Sequence, residues 1–333
     1  MLDIILNGKA GNGKALNEKN KIEKLLNEKN VEHRFHFTSG RKDATKIARE
    51  LCLNGATDVI AMGGDGTANE VLNGLTNLEN VRFGIIPCGS GNDFADTVKI
   101  PLKAEKALEI ILNETAKPTD FLVCDGVRGL NVIGTGIDVE ILERTEKNKV
   151  LKGKIKYMVS LIISLIKFKF YNFKLKFAGN YEALPNDNAN EKTEDVGKTE
   201  AAVADPDGNP VASENEAPDR SALIVCCGNG RKIGGGIPIC PEAIVDDGKM
   251  DFLIINRMKK SRIPHALVKL MKGKILTESF SEFKRVDKAT LFFEKTPAIQ
   301  IDGEIYYDLN FDVHIEKGKL NLYRPDTAAT TTK

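Results

Sequence analysis

Continuous apolar runs alternate with amphipathic stretches through residues 1–120. The runs at 2–7, 35–38, 58–62 and 83–87 read as strands, because unbroken apolar segments bounded by polar turns suit strands buried on both faces. Between them, 15–29, 42–54, 67–76 and 103–114 carry helical periodicity. This alternation predicts a parallel sheet covered by helices, an α/β domain over 1–120. The pattern changes near Pro118. Segments at 121–127, 130–134, 171–177, 222–227, 250–256, 289–294, 298–302, 311–316 and 320–323 read as strands, with helices near 138–146, 153–167 and 261–272. They predict a mainly antiparallel β-sandwich domain over 121–325, its last strand free to return to the first domain, and a disordered tail at 326–333.

Composition narrows the classes. A chain of 333 residues, 41% hydrophobic, can build two cores, and a net charge of +1 argues against a nucleic-acid-coating protein. No apolar run reaches the ~20 residues of a membrane helix. The longest, at 157–166, is flanked by lysines, and the first residues lack the basic region of a signal peptide. Six cysteines form no C-x-x-C pair; Cys52, Cys124, Cys226 and Cys227 sit in apolar runs and read as buried thiols in a reducing, cytoplasmic setting. His33 and His36 face opposite sides of a strand, and His265 and His314 are isolated, so histidine spacing suggests no metal site. Residues 147–178 hold nine lysines and no acid, whereas 182–219 hold eleven acids and two lysines. The acidic stretch has few large apolar residues, which predicts a disordered insertion over 181–220.

The candidate chemistry lies in glycine-rich turns. The run at 58–62 ends in Gly63-Gly64-Asp65-Gly66-Thr67 and enters a helix near Ala68. Glycines at the carboxyl end of a parallel strand admit a ligand close to the backbone, and the free N–H groups of the next helix suit phosphate. Asp65 beside a phosphate implies an intervening divalent cation, so the loop points to Mg²⁺-nucleotide chemistry. A second loop, Pro87-Cys88-Gly89-Ser90-Gly91-Asn92-Asp93-Phe94, follows the next strand and would face the same crevice. Gly8 to Lys14 fits G-x-x-x-x-G-K, but Ala15 replaces the Mg²⁺-binding hydroxyl, which argues against a P-loop enzyme.

Asn7-Gly8-Lys9-Ala10-Gly11, Gly63 to Glu70, Pro87 to Phe94, Asp247-Gly248-Lys249-Met250-Asp251 and Asp302-Gly303-Glu304 occur in this order. The series resembles the diacylglycerol kinase catalytic-domain family, particularly its bacterial soluble lipid kinases. Gly8 replaces a usual proline and Ser90 a usual threonine. The resemblance implies a two-domain architecture of the lipid kinase and NAD kinase type, with ATP on the α/β domain, lipid on the β-sandwich and catalysis between them. It places Asn7, Gly8, Lys9, Ala10, Gly11, Thr38, Gly63, Gly64, Asp65, Gly66, Thr67, Ala68, Asn69, Glu70 and Ser90 around the nucleotide. Glu304 would be the general base and Asp65 the holder of catalytic Mg²⁺. A structural Mg²⁺ would take the Asp247 carboxylate and carbonyls of Ile244 and Lys249.

Phosphorylation of diacylglycerol to phosphatidic acid is the leading expectation. NAD kinase shares the G-G-D-G-T loop but leaves 87–94 and Asp302-Gly303-Glu304 unexplained. Kinases of sphingoid bases or phosphatidylglycerol share the lipid-kinase pattern, and a non-catalytic regulator would bind ATP without turnover. A lipid substrate requires visits to a membrane, and the lysine stretch 147–178 could dock peripherally on an anionic surface, with the acidic insertion folding back over it. A homodimer is compatible with the sequence.

Overall fold

The computed structural model describes residues 1–147, 159–164, 170–178, 182–183, 220–295 and 297–326. Its first part runs β1 (Leu2–Leu6), α1 (Lys14–Glu28), β2 (His33–Phe37), α2 (Asp43–Leu53), β3 (Asp58–Gly63), α3 (Asp65–Gly74), β4 (Arg82–Pro87), α4 (Asp93–Thr97) and α5 (Ala104–Asn113). The strands pair in parallel in the order β2-β1-β3-β4. Alternate residues face opposite layers. Ile5, Val59, Ala61 and Phe83 pack with Ala44 and Ala48 of α2 and Val71 and Leu72 of α3. Ile4, Leu6, Ile60 and Met62 pack with Ile22 and Leu26 of α1 and Leu108 and Ile111 of α5. Fully burying each large aliphatic side chain contributes roughly 1.5–3 kcal/mol, so these strands are held from both sides. The strand order reverses between β1 and β3, and their carboxyl ends open a crevice there.

The second part contains β5 (Ala116–Cys124), β6 (Val127–Gly129), β7 (Val132–Gly136), α6 (Ile137–Lys147), β8 (Tyr171–Ala178), β9 (Glu182–Ala183), β10 (Arg220–Gly228), β11 (Met250–Asn256), α7 (Ile263–Met271), β12 (Ser281–Val286), β13 (Lys288–Phe292), β14 (Ile299–Ile301), β15 (Glu304–Tyr306) and β16 (Asp312–Tyr323). Their described pairings are antiparallel, except that β16 also lies parallel to β4. Val225 and Cys227 of β10 and Phe252 and Ile254 of β11 face Leu122, Leu291 and Val313 across the sandwich core. The opposite face, with Cys226, Leu253 and Ile255, packs against α7.

Several elements differ from the sequence expectation. Segments 311–316 and 320–323 form the single strand β16, bent by a register shift between Glu316 and Leu320. Strand β5 starts at Ala116 and passes through Pro118, which is tolerated because β6 pairs only from Leu122 onward. Strand β12 escaped because Ser281, Glu282, Lys284 and Arg285 mask its alternation. Glu182 and Ala183, expected in the disordered insertion, pair with Arg285 and Lys284. The rest of that insertion, most of the helix expected at 153–167 and the tail from 327 lie outside the described residues. Cys88, Cys124, Cys226, Cys227 and Cys240 are buried free thiols, and Cys52 is half-buried. Among the described residues, no helix is long and apolar enough to cross a membrane.

Candidate functional site

The crevice holds a cavity of about 420 Å³. Asn7, Lys9 and Ala10 reach it from the end of β1, and Thr38 and Arg41 from the end of β2. Gly64, Gly66, Thr67 and Glu70 reach it from the start of α3, and Gly89 from the loop after β4. No side chain caps α3 at Gly64. The Thr67 amide bonds back to the Gly64 carbonyl at 3.0 Å and the Asp65 amide faces its own carboxylate, which leaves the Gly66 amide in the first turn for an anionic ligand. Asn7 Nδ2 donates to Thr67 Oγ1 at 3.2 Å, tying the first turn to α3. Glycine is required where the loops cross: a Cβ on Gly89 would lie 2.5 Å from Gly64 Cα. Gly11 meets the carbonyl of Cys88 in the same way. Gly8, Gly11, Gly63, Ala68 and Asn69 do not line this cavity. Glu70 has a structural duty as well, accepting the amides of Lys42 at 2.8 Å and Ala44 at 3.2 Å at the start of α2.

Asp65 and Ser90 line a neighbouring cavity of about 330 Å³. The Asp65 carboxylate accepts the Asn92 amide at 2.6 Å and the Phe94 amide at 3.3 Å, bracing the second glycine loop against α3. Burial raises its pKa; those amides oppose the shift and the nearby Asp302 charge adds to it. Asp93 accepts the Gly235 amide at 2.7 Å, drawing the Gly234-Gly235-Gly236 turn into the wall.

The two cavities meet at the β14–β15 hairpin. Asp302 and Gly303 both have positive φ, 49° and 89°, as a tight Asp-Gly hairpin turn demands. Asp302 clamps this turn. One oxygen accepts the amides of Asn131 at 2.8 Å and Val132 at 2.9 Å; the other accepts the Leu130 amide at 2.6 Å and Asn69 Nδ2 at 2.8 Å. Burial raises the Asp302 pKa against these donors. Gly303 lines the second cavity and Glu304 the first, where its carboxylate accepts a hydrogen bond from Arg41 Nη2. Arg41, Asp138, Gln300, Gly234 and Gly235 were missed in the sequence, whereas Asp93 lies in the second glycine loop already singled out. The G-G-G string was a usable signal; the others carry none by themselves.

Asp247 lies elsewhere, in the loop before β11. Its Oδ1 accepts the Lys249 amide at 2.9 Å, and burial raises its pKa. Asp120 braces the same loop through the amides of Gly248 at 2.7 Å and Gly318 at 2.6 Å. Among the described residues, no three His, Cys, Asp or Glu side chains form a metal centre. A cation here would rest on one carboxylate and backbone carbonyls, a hard oxygen set that fits Mg²⁺ or Ca²⁺.

The Diacylglycerol kinase catalytic domain family matches residues 2–124, and the YegS C-terminal NAD kinase beta sandwich-like domain matches 131–324, more than half of the chain. The "Probable lipid kinase YegS-like" of Cronobacter sakazakii (strain ATCC BAA-894) is 28% identical, covering 97% of this chain and 95% of its own. The "Probable lipid kinase YegS" of Escherichia fergusonii is also 28% identical, with the same coverage. The crystal structure of a diacylglycerol kinase from Bacillus anthracis str. Sterne shares the fold, with a TM-score of 0.67 at 22% identity over 99% of this chain and 98% of that one. With the glycine-loop crevice joined to a β-sandwich through the Asp302–Glu304 hairpin, the chain belongs to the diacylglycerol kinase catalytic-domain family of lipid kinases.

Proposed function

We propose that the protein transfers the γ-phosphoryl group of ATP to the hydroxyl of diacylglycerol, giving phosphatidic acid. The observation that carries this reading is the hairpin tip, which puts Gly303 in one cavity and Glu304 in the other. ATP occupies the first cavity, its phosphates facing the N-terminal end of α3 at Gly66 and the side chains of Asn7, Lys9 and Thr67. The acceptor lipid enters the second.

Glu304 acts as general base. At rest it is paired with Arg41, which also lines the nucleotide cavity. Incoming phosphate competes for the guanidinium and frees the carboxylate. The acceptor oxygen then bonds to the γ-phosphorus as the bond to the ADP oxygen breaks, and the hydroxyl proton passes to Glu304. Asp65 is the carboxylate best placed to hold a divalent cation between the loops, though its bonds to Asn92 and Phe94 also make it a loop brace. Such a cation neutralises charge on the phosphate oxygens. Asp247, with the carbonyls of Ile244 and Lys249, would hold the second, structural ion.

The protein works at the membrane surface from the cytoplasmic side. Half of the stretch 147–178 lies outside the described residues. Among the described residues, α7 and its flanks offer a second docking element: Lys259, Lys260, Arg262, Lys272 and Lys274 beside exposed Val268 and Met271, while Lys269 is paired with Glu278.

The test is γ-labelled ATP with separate anionic vesicles carrying diacylglycerol, sphingosine, extra phosphatidylglycerol or no added lipid, and soluble NAD as a control. Label in phosphatidic acid supports the reading. Label in NAD or in another lipid, with none in phosphatidic acid, overturns it.

A further inference from the structure

Asp138 opens α6, and the site just described leaves it without a role. It is 3% exposed, and neither carboxylate oxygen makes a well-formed hydrogen bond among the described residues; the Val139 N–H and the Gln300 side chain stand by as looser donors. A buried polar group left unmatched is costly, so its persistence calls for an explanation. Its position supplies one. Asp138 lines the acceptor cavity and also an adjoining apolar cavity walled by Ile141, Leu223, Ile255 and Leu267. It therefore stands at the neck where a polar headgroup would give way to a hydrocarbon chain.

The neighbours decide which way a hydrogen bond would run. Gln300 Oε1 accepts the Gly303 amide at 3.0 Å, which turns the Gln300 amide nitrogen toward the Gly134 and Asp138 side. The Val139 N–H also faces the carboxyl. Both neighbours are donors. The titratable groups that feel the Asp138 charge, Tyr171 on β8 and Cys226 on β10, are not cations; further along α6, Glu140 and Glu143 act on Tyr171 and Arg144 acts on Glu140. Burial raises the Asp138 pKa to about 7, with the Val139 and Gln300 donors only tempering the rise. A neutral carboxyl in this setting has its own O–H left to donate.

Building on the glycerolipid reading above, we infer that Asp138 is a specificity residue that donates a hydrogen bond to an ester carbonyl of the acceptor lipid, at the point where its chain enters the apolar cavity. An ester carbonyl at the head–chain junction accepts and cannot donate, which matches the unused O–H. A long-chain amino alcohol presents an ammonium and a hydroxyl there, and would need the ionised carboxylate instead.

The test compares 1,2-diacylglycerol with its dialkyl ether analogue, which lacks both carbonyls, in wild type, Asp138→Asn and Asp138→Leu. The wild type should show a KM about five- to tenfold lower for the ester, the span of one neutral hydrogen bond. Asp138→Asn keeps an N–H donor and should keep that preference; Asp138→Leu should lose it. Equal KM values for ester and ether in the wild type, a comparison that needs no variant, would overturn the inference alone. So would loss of the preference in a folded Asp138→Asn protein. A wild type that phosphorylates sphingosine and no glycerolipid would instead sink the acceptor reading, and the inference with it.

Discussion

The nucleotide-side cavity and the acceptor-side cavity meet at the Asp302–Glu304 hairpin but differ in the chemistry of their linings. The first sets glycines at 40, 64, 66 and 89 and the uncapped start of α3 beside the basic side chains of Lys9 and Arg41. The second also takes glycines, at 91, 234, 235 and 303, but its charged residues are the acids Asp65, Asp93, Asp138 and Asp302, and it runs on into aliphatic surface. Backbone amides suit a polyphosphate of constant shape, whereas a lipid demands a polar neck and an apolar path. The difference shows where substitutions should separate the two functions.

The largest effect falls on the brace between the cavities. Asp65→Ala removes the acceptor for the Asn92 and Phe94 amides and the proposed cation ligand together. Turnover should vanish while thermal unfolding stays cooperative; near-normal activity would sink its assigned role. Arg41→Ala comes next. The variant should bind ATP about five- to tenfold more weakly, the scale of one charge-assisted bond at a partly exposed site, with a smaller effect on the KM for lipid. Equal losses for both substrates would deny Arg41 a nucleotide-side role.

Asp138 separates the cavities by pH. Its folded pKa is raised from 3.8 to about 7, so between those values the native state holds a proton the unfolded chain has released. Its stabilisation is therefore largest at low pH and is lost as pH rises toward 7. Between about pH 5 and about pH 8 this group should lower stability by on the order of 2 kcal/mol, and Asp138→Asn should flatten that part of the pH–melting curve. The smallest expected effect concerns Asp247. Mg²⁺ should raise the melting temperature by about 2 °C in the wild type and not in Asp247→Ala, because an ion bound only to the native state stabilises it by mass action.

The same contrast explains what could be read from the sequence. Strands β1, β3 and β4 are buried on both faces, so their apolar runs are unbroken, and their functional loops are contiguous strings such as Gly63 to Thr67. The acceptor cavity gathers Asp138, Ile233 and Gln300 from separate elements, and none carries a local signature. Arg41 resembles any surface arginine until the hairpin brings Glu304 to it across 263 positions of chain. Asn69 adjoins the glycine loop, and only the structure shows that its side chain donates to Asp302 and the Arg128 carbonyl. Proximity in sequence identified the loops but not the direction in which each side chain faces.

The claim that the hairpin joins a donor site to an acceptor site is tested most directly with Glu304→Gln. ATP affinity and phosphoryl transfer to diacylglycerol vesicles should be measured on the same preparation. The account predicts ATP binding within about threefold of wild type and transfer reduced by about a hundredfold or more, the scale of a lost general base. Transfer close to the wild-type rate in a variant that still binds ATP would contradict it.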